Sequence, residues 1–316
     1  MIMSTQRGLH VTNLCREFTA RDGKVRRAVD NVSLTVGAGE LVSVLGPNGA
    51  GKTTTVRMLT GLLMPTSGTV LVDGHDVVRD RRRAALACGF SLGGDTGLYP
   101  RLTAQQNLTF FGMMYGLRGK ALRDRAGELL AAVDLQHRAD DVVGSFSRGM
   151  KQRLHLARSL LHDPAVLILD EPSAGLDPQS AAAMRALVAR LSGEGRSILL
   201  TTHDMREAEE LSDRIVLMKD GRIQTESTAS ELRLAAAERL GHTVNVVFVG
   251  GTVPDEMAAC PGTLSEQRDG GSVTLRAIDG AGTVQWVLTN FPGRTVSVSV
   301  TPPTLEEVFL EMVSAT

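Results

Sequence analysis

This 316-residue chain has few cysteines, almost no net charge and no long apolar run, and each shortage narrows what it can be. Its three cysteines, Cys15, Cys88 and Cys260, lie far apart and form no C-x-x-C pair. That argues against a disulfide framework or thiolate metal site and suits reduced structural thiols in a cytosolic protein. A formal net charge of −1 leaves no cationic excess for nucleic acid or an anionic membrane, so no nucleic-acid partner is expected. No apolar stretch approaches the roughly 18 residues needed to span a bilayer. Residues Met1 to Arg7 lack the apolar core of a signal peptide, so the chain is expected to stay inside the cell. Any membrane role must then come through a partner. What remains is ordinary: 42% hydrophobic and 22% charged residues fit a globular protein. The length suggests two domains, or one large domain with an appendage.

One stretch carries specific chemistry. The apolar run Leu41 to Leu45 reads as a short buried strand, and after it comes Gly46-Pro47-Asn48-Gly49-Ala50-Gly51-Lys52-Thr53-Thr54. Val56, Leu59 and Leu63 follow at helical spacing, with Met58 and Leu62 widening the stripe. Strand, glycine-rich loop and helix are the context that a phosphate-binding G-x-x-x-x-G-K-[ST] requires. The glycines let backbone N–H groups turn inward as a positive nest, and the helix N-terminus adds its partial charge. Lys52 is placed to reach the β- and γ-phosphates of a nucleotide, and the Thr53 hydroxyl to ligate Mg²⁺.

The rest of the pattern is that of an α/β protein. Residues 8 to 45 read as β-structure, with Val32, Leu34 and Val36 alternating against Ser33 and Thr35. Val70 to Val72 is another short strand. From about 80 to 161 the texture is helical, with one helix capped by Thr103 and running to Gly116 and another from Leu122 to Val133. Val166 to Leu169 and Ser197 to Thr202 are continuous apolar strands. Arg214 to Met218 and Arg222 to Glu226 form a hairpin over Lys219-Asp220-Gly221. Beyond Thr228 the elements run β-α-β-β-α-β behind a leading helix, which suggests a split βαβ, ferredoxin-like unit.

Two carboxylates, Asp170 and Glu171, end the Val166 strand. Successive side chains on a strand point to opposite faces, so they take different tasks: Asp170 in a Mg²⁺ shell, Glu171 as a general base for an attacking water. Just upstream stands Phe146-Ser147-Arg148-Gly149-Met150, which resembles the LSGGQ signature of ATP-binding subunits of ABC transporters. With the phosphate loop and Asp170-Glu171, residues 8 to 228 resemble that family throughout.

The resemblance implies an ABC cassette: a RecA-like P-loop core, an N-terminal antiparallel β part and an inserted helical subdomain. It implies that Ser147, Arg148, Gly149 and Met150 contact ATP bound on the opposite subunit of a head-to-tail homodimer. A helix N-terminus with a serine hydroxyl suits an anion, although Ser147 read alone is simply a helix cap. Asp177 falls in the family's D-loop, and it also reads as an N-cap before Pro178. His203 matches the switch histidine that reaches the γ-phosphate. His75, His137 and His162 read as ordinary solvated histidines. Phe18 matches the aromatic that stacks on adenine.

The family's Q-loop glutamine is missing, because the segment from Gly89 to Leu98 holds none and Gly93 or Gly94 stands in its place. Either Asp95 or a water is expected to supply the oxygen ligand in its stead. Residues 229 to 316 form a separate α+β accessory domain whose ending, Pro302 to Phe309, resembles the daunorubicin-resistance type of ATPase. There Leu305, Val308, Phe309 and Met312 make one apolar helix stripe. The expectation is an ATP- and Mg²⁺-dependent ATPase at the cytoplasmic face of the membrane. It would energise export of a drug, antibiotic or lipid-like compound through a separate ABC-2 type permease. The alternatives are an importer ATPase and a non-transport ABC ATPase.

Overall fold

In the computed structural model, which describes residues 7–19, 23–91 and 97–314, the chain divides at residue 226 into two compact units. In the first, strands β1 (Leu9–Thr19) and β2 (Val25–Val36) pair antiparallel, with Phe18 opposite Arg26. The central strand β3 (Leu41–Leu45) is buried at all five residues and leads through the glycine loop into α1 (Lys52–Leu59). Strands β4 (Ser67–Val72) and β5 (His75–Asp76) complete a four-stranded sheet in the order β2-β1-β4-β5.

Helix α2 (Arg81–Ala87) then runs into β6 (Cys88–Ser91). Helices α3 (Ala104–Met114), α4 (Gly119–Ala132) and α5 (Arg148–Ser159) precede β7 (Val166–Asp170). Helix α6 (Pro178–Gly193), strand β8 (Ser197–Thr202), helix α7 (Met205–Leu211) and strands β9 (Arg214–Lys219) and β10 (Arg222–Ser227) follow. The second sheet has the order β10-β9-β3-β8-β7-β6, and β9, β3, β8, β7 and β6 are mutually parallel. Such strands are covered on both faces, which is why β3, β7 and β8 are buried along their whole length and mostly apolar, with Ser43 in the middle of β3 and Ser197 at the start of β8 as polar exceptions.

Two expectations change. The span from about 80 to 161 is not wholly helical, because β6 lies within it and pairs with β7 at the sheet edge. A four-residue strand after a helix leaves too short a pattern to read. The stripe of α1 is also shorter: Val56, Met58 and Leu59 are buried, but the helix stops at Leu59 and Leu62 is exposed. Gly61, at φ 71°, follows the C-cap and turns the chain away.

In the second unit α8 (Ala229–Leu240) leads to β11 (His242–Phe248), β12 (Thr263–Asp269), β13 (Ser272–Ala277), α9 (Gly280–Asn290), β14 (Thr295–Thr301) and α10 (Leu305–Ser314). The sheet order is β12-β13-β11-β14 with antiparallel neighbours, the arrangement of a split βαβ unit. The first crossover is a single 3₁₀ segment, Asp255–Ala259, rather than a full α-helix. Val244, Val246, Phe248, Leu275 and Phe291 are among the residues of its own core.

Candidate nucleotide site

Ligands of parallel sheets bind at the carboxyl ends of the strands. Here register sets those ends level: Leu45 lies beside Thr202, and Asp170 beside Thr201. The loops leaving β3, β7 and β8 therefore emerge on one edge, and these are the loops that carry Lys52, Glu171 and His203.

The glycine loop is pinned from below. Ala50 N–H donates to the Pro47 carbonyl at 3.1 Å, and Gly221 N–H donates to the Ala50 carbonyl at 2.9 Å. Gly51 has φ 102° and caps α1; a Cβ there would stand 2.6 Å from the Ala28 carbonyl oxygen, so glycine is required. Helix α1 begins at Lys52, so its unpaired N–H groups face the loop. Lys52 is only 6% exposed, and its ammonium donates to the carbonyls of Gly46 at 2.6 Å and Pro47 at 3.3 Å. Burial lowers its pKa, while the carboxylates of Glu171 and Asp170 hold it up. The loop floors a cleft of about 370 Å³, lined by Pro47 to Thr54 with Phe18, Arg26, Ala28 and Glu171.

Asp170 is buried at the end of β7 and accepts a hydrogen bond from the Thr201 hydroxyl. Desolvation pushes its carboxyl pKa up, against the Thr201 hydrogen bond and the Lys52 charge. The next residue, Glu171, has φ 51°, a left-handed conformation that costs a non-glycine residue about 1–3 kcal/mol. Its N–H donates to the Thr201 carbonyl at 2.9 Å and its own carbonyl accepts from Ala174 N–H at 3.2 Å. The twist puts its side chain into the cleft while Asp170 stays inside. His203 Nδ1 lies 3.4 Å from Glu171 Oε2. A metal ion fits this donor set only together with a nucleotide. Thr53 and Asp170 are hard oxygen donors, which suits Mg²⁺, but among the described residues no cluster of three or more His, Cys, Asp or Glu is arranged to hold a metal.

Ser147 caps α5 and accepts from Met150 N–H at 3.2 Å. Neither Ser147 nor Arg148, Gly149 or Met150 is among the residues lining the cleft over the chain's own glycine loop. Arg148 instead packs on Gly175, where a Cβ would stand 2.5 Å from its Nη1. Asp177 caps α6, accepting from Gln179 N–H at 3.1 Å and Ser180 N–H at 3.0 Å. Gly93, Gly94 and Asp95 lie outside the described residues.

Sequence reading missed two features. Arg26 joins the cleft because β1–β2 pairing sets it across from Phe18, whose ring also carries the Arg16 guanidinium at 4.6 Å. The register contains bulges, so no spacing rule reveals the pairing. The second is a correction: His162 is not simply solvated. Its ring stacks on Tyr115 at 4.0 Å, Nε2 lies 3.1 Å from the Cys88 carbonyl, and burial lowers its pKa.

A P-loop on a parallel sheet, a paired Asp-Glu on the next strand but one and a histidine between them define a P-loop ATPase of the ABC class. The ABC transporter family profile matches residues 29–174. The chain is 38% identical over 299 residues to the daunorubicin resistance ATP-binding protein DrrA3 of Streptomyces coeruleorubidus, covering 91% of each. It is 33% identical over 300 residues to the linearmycin resistance ATP-binding protein LnrL of Bacillus subtilis, covering 91% of this chain and 94% of that one. Among solved structures, a dimeric ATP-binding cassette in a post-hydrolysis state with ADP and Pi matches at TM-score 0.63 and 27% identity. That match covers 70% of this chain and 98% of the cassette. The chain belongs to the family of ABC transporter ATP-binding proteins.

Proposed function

We propose that this chain is the ATP-hydrolysing subunit of an exporter, working as a head-to-tail dimer on the cytoplasmic face of a separate ABC-2 type permease. A drug, antibiotic or lipid-like compound is the cargo class, as the resistance relatives suggest. The observation that carries the dimer is the division of the site: the glycine loop, Phe18 and Glu171 share one cleft, and the Ser147 to Met150 segment lines none of it. A second copy completes each cleft by presenting Ser147, Arg148 and Gly149 at the start of its α5.

Within the cleft, Phe18 stacks on the base while backbone N–H groups of Gly49 to Thr53 and the Lys52 ammonium hold the phosphates. Thr53 and Asp170 would hold Mg²⁺, which supplies neutralising charge at the phosphate oxygens. Glu171 takes a proton from water as it attacks, and His203 holds Glu171 and the terminal phosphate in place. Catalysis is positioning and electrostatics, as in other phosphoryl transfers.

Mixing two inactive variants tests the arrangement. A Lys52→Ala chain keeps its Ser147 segment, and a Ser147→Arg chain keeps its glycine loop. Combined in equal amounts, they should recover about a quarter of wild-type turnover, since half of the pairs hold one intact site of two. No recovery, with both variants folded, refutes the shared site. Co-purification of a membrane permease with the tagged chain tests the exporter assignment, and a solute-binding protein in its place points to import.

A further inference from the structure

Glu207 lies in α7, four residues beyond His203, and the steps above make no use of it. Its side chain has no solvent exposure. A buried carboxyl needs partners, and Glu207 takes them from neighbouring strand ends. Ser173 Oγ donates to its Oε1 at 2.6 Å, and the Thr202 hydroxyl bears on the same group. Among the described residues, none gives its Oε2 a hydrogen-bond partner. Desolvation pushes the carboxyl pKa up, the hydroxyls of Ser173 and Thr202 oppose this, Asp204 adds to it and Arg185 opposes.

The direction of the side chain is informative. Glu207 is the third residue of α7, where a glutamate ordinarily reaches back to the N-cap N–H. Here Asp204, the N-cap, donates its N–H to Thr202 Oγ1 at 3.0 Å, and Glu207 turns to Ser173 instead. Ser173 stands two residues after Glu171, and Thr202 immediately precedes His203. The carboxyl thus bonds to the segment that follows Glu171, and its own helix starts at Asp204, the residue after His203.

We propose that Glu207 is a positioning residue, its carboxyl tying the segment after Glu171 to the strand end bearing His203 and so fixing the spacing of that pair. The inference rests on the roles assigned above to Glu171 and His203. A loose pair loses near-attack geometry without losing nucleotide, because the glycine loop is untouched.

The test is ATP hydrolysis by the purified full chain, with ATP affinity and thermal unfolding measured on the same samples. Glu207→Ala and Ser173→Ala should each lower kcat about tenfold or more with KM and Kd for ATP little changed. Glu207→Gln should recover most of the loss, since its amide oxygen accepts from Ser173. The double alanine variant should be no slower than the slower single, as for two ends of one contact. If Glu207→Ala does not fold, Ser173→Ala decides alone. Near-wild-type kcat in Ser173→Ala, multiplying losses in the double variant, or a Gln variant as slow as a folded Ala variant would each overturn the proposal. Failure of the underlying reading is distinguishable, because it shows as near-normal turnover in Glu171→Gln.

Discussion

Lys52 and Glu171 illustrate how little of a residue's task lies in its own chemistry. Lys52 is an ordinary lysine until α1 begins at its backbone and the cleft buries its stem, leaving the ammonium among loop carbonyls and two carboxylates. Lys52→Ala should therefore abolish saturable binding of a fluorescent ATP analogue while leaving the melting temperature near wild type. Glu171 is held in a left-handed conformation by neighbours on both sides, and that twist is what aims it at the cleft. The general-base role proposed for it should be separable from binding: Glu171→Gln is expected to lower turnover by about 10²–10⁴-fold while ATP still binds. Equal turnover in the variant and the wild type would remove Glu171 from the mechanism. The spacing of the glycine loop and of Asp170-Glu171 was enough to single out these residues. Arg26 was not reachable in that way, because its place depends on a bulged strand pairing. Neither was the engagement of His162, which needs Tyr115 and Cys88 brought to it from two other elements.

At the scale of elements, helix starts are where sequence and structure agree best. Thr103 caps α3 with Gln106 returning the bond to the Thr103 N–H, a reciprocal pair visible as Thr-x-x-Gln. Thr103→Ala should lower stability by about 0.5–2 kcal/mol, read as a shift in denaturation midpoint with ATP affinity unchanged. The stretch from β6 to the end of α5 is tied by His162, which donates through Nε2 to Cys88 and stacks on Tyr115. Its folded pKa lies below the usual value of 6.5, so the folded state resists protonation that the unfolded chain accepts. Its contribution is complete above that value and is lost as pH falls through it. Against His162→Phe, which keeps a stacked ring, the wild-type advantage in melting temperature should shrink between pH 7 and pH 5. An advantage that grows on acidification would contradict the buried neutral imidazole. Cys88, at the start of β6, has its thiol pKa pushed up to about 12 by burial, which makes it inert rather than reactive.

For the whole molecule, the decisive feature is that the two units have cores with no residue in common. The first closes around the two sheets and the helices between their strands. The second closes around one antiparallel sheet, with Leu305 and Val308 buried along α10 and Arg239 paired to Glu311 between α8 and α10. Leu275→Ala, at a site with no exposure, should destabilise the second unit by about 2–5 kcal/mol. ATP affinity should be unchanged, so calorimetry and nucleotide titration on the same sample should part company. Loss of ATP binding in that variant would mean that the glycine loop depends on the second unit. The similarity to DrrA3 spans 91% of this chain, well beyond the first unit, so the second unit is part of what the two proteins share.

Local spacing alone determined the phosphate loop, the Asp-Glu strand end, the helix caps at Thr103 and Asp177 and the order of elements in the second unit. Each depends on contacts within a few residues, so the chain carries it in plain view. Tertiary structure decided the rest, because the remaining relations join residues far apart in sequence. Parallel register levels Leu45, Asp170 and Thr202 across three strands and so brings Lys52, Glu171 and His203 to one edge. The β1–β2 pairing delivers Arg26 beside Phe18, and the packing of α7 buries Glu207 against Ser173. The glycine loop is legible in the sequence as a phosphate-binding pattern, and the alignment of strand ends decides which side chains stand beside it.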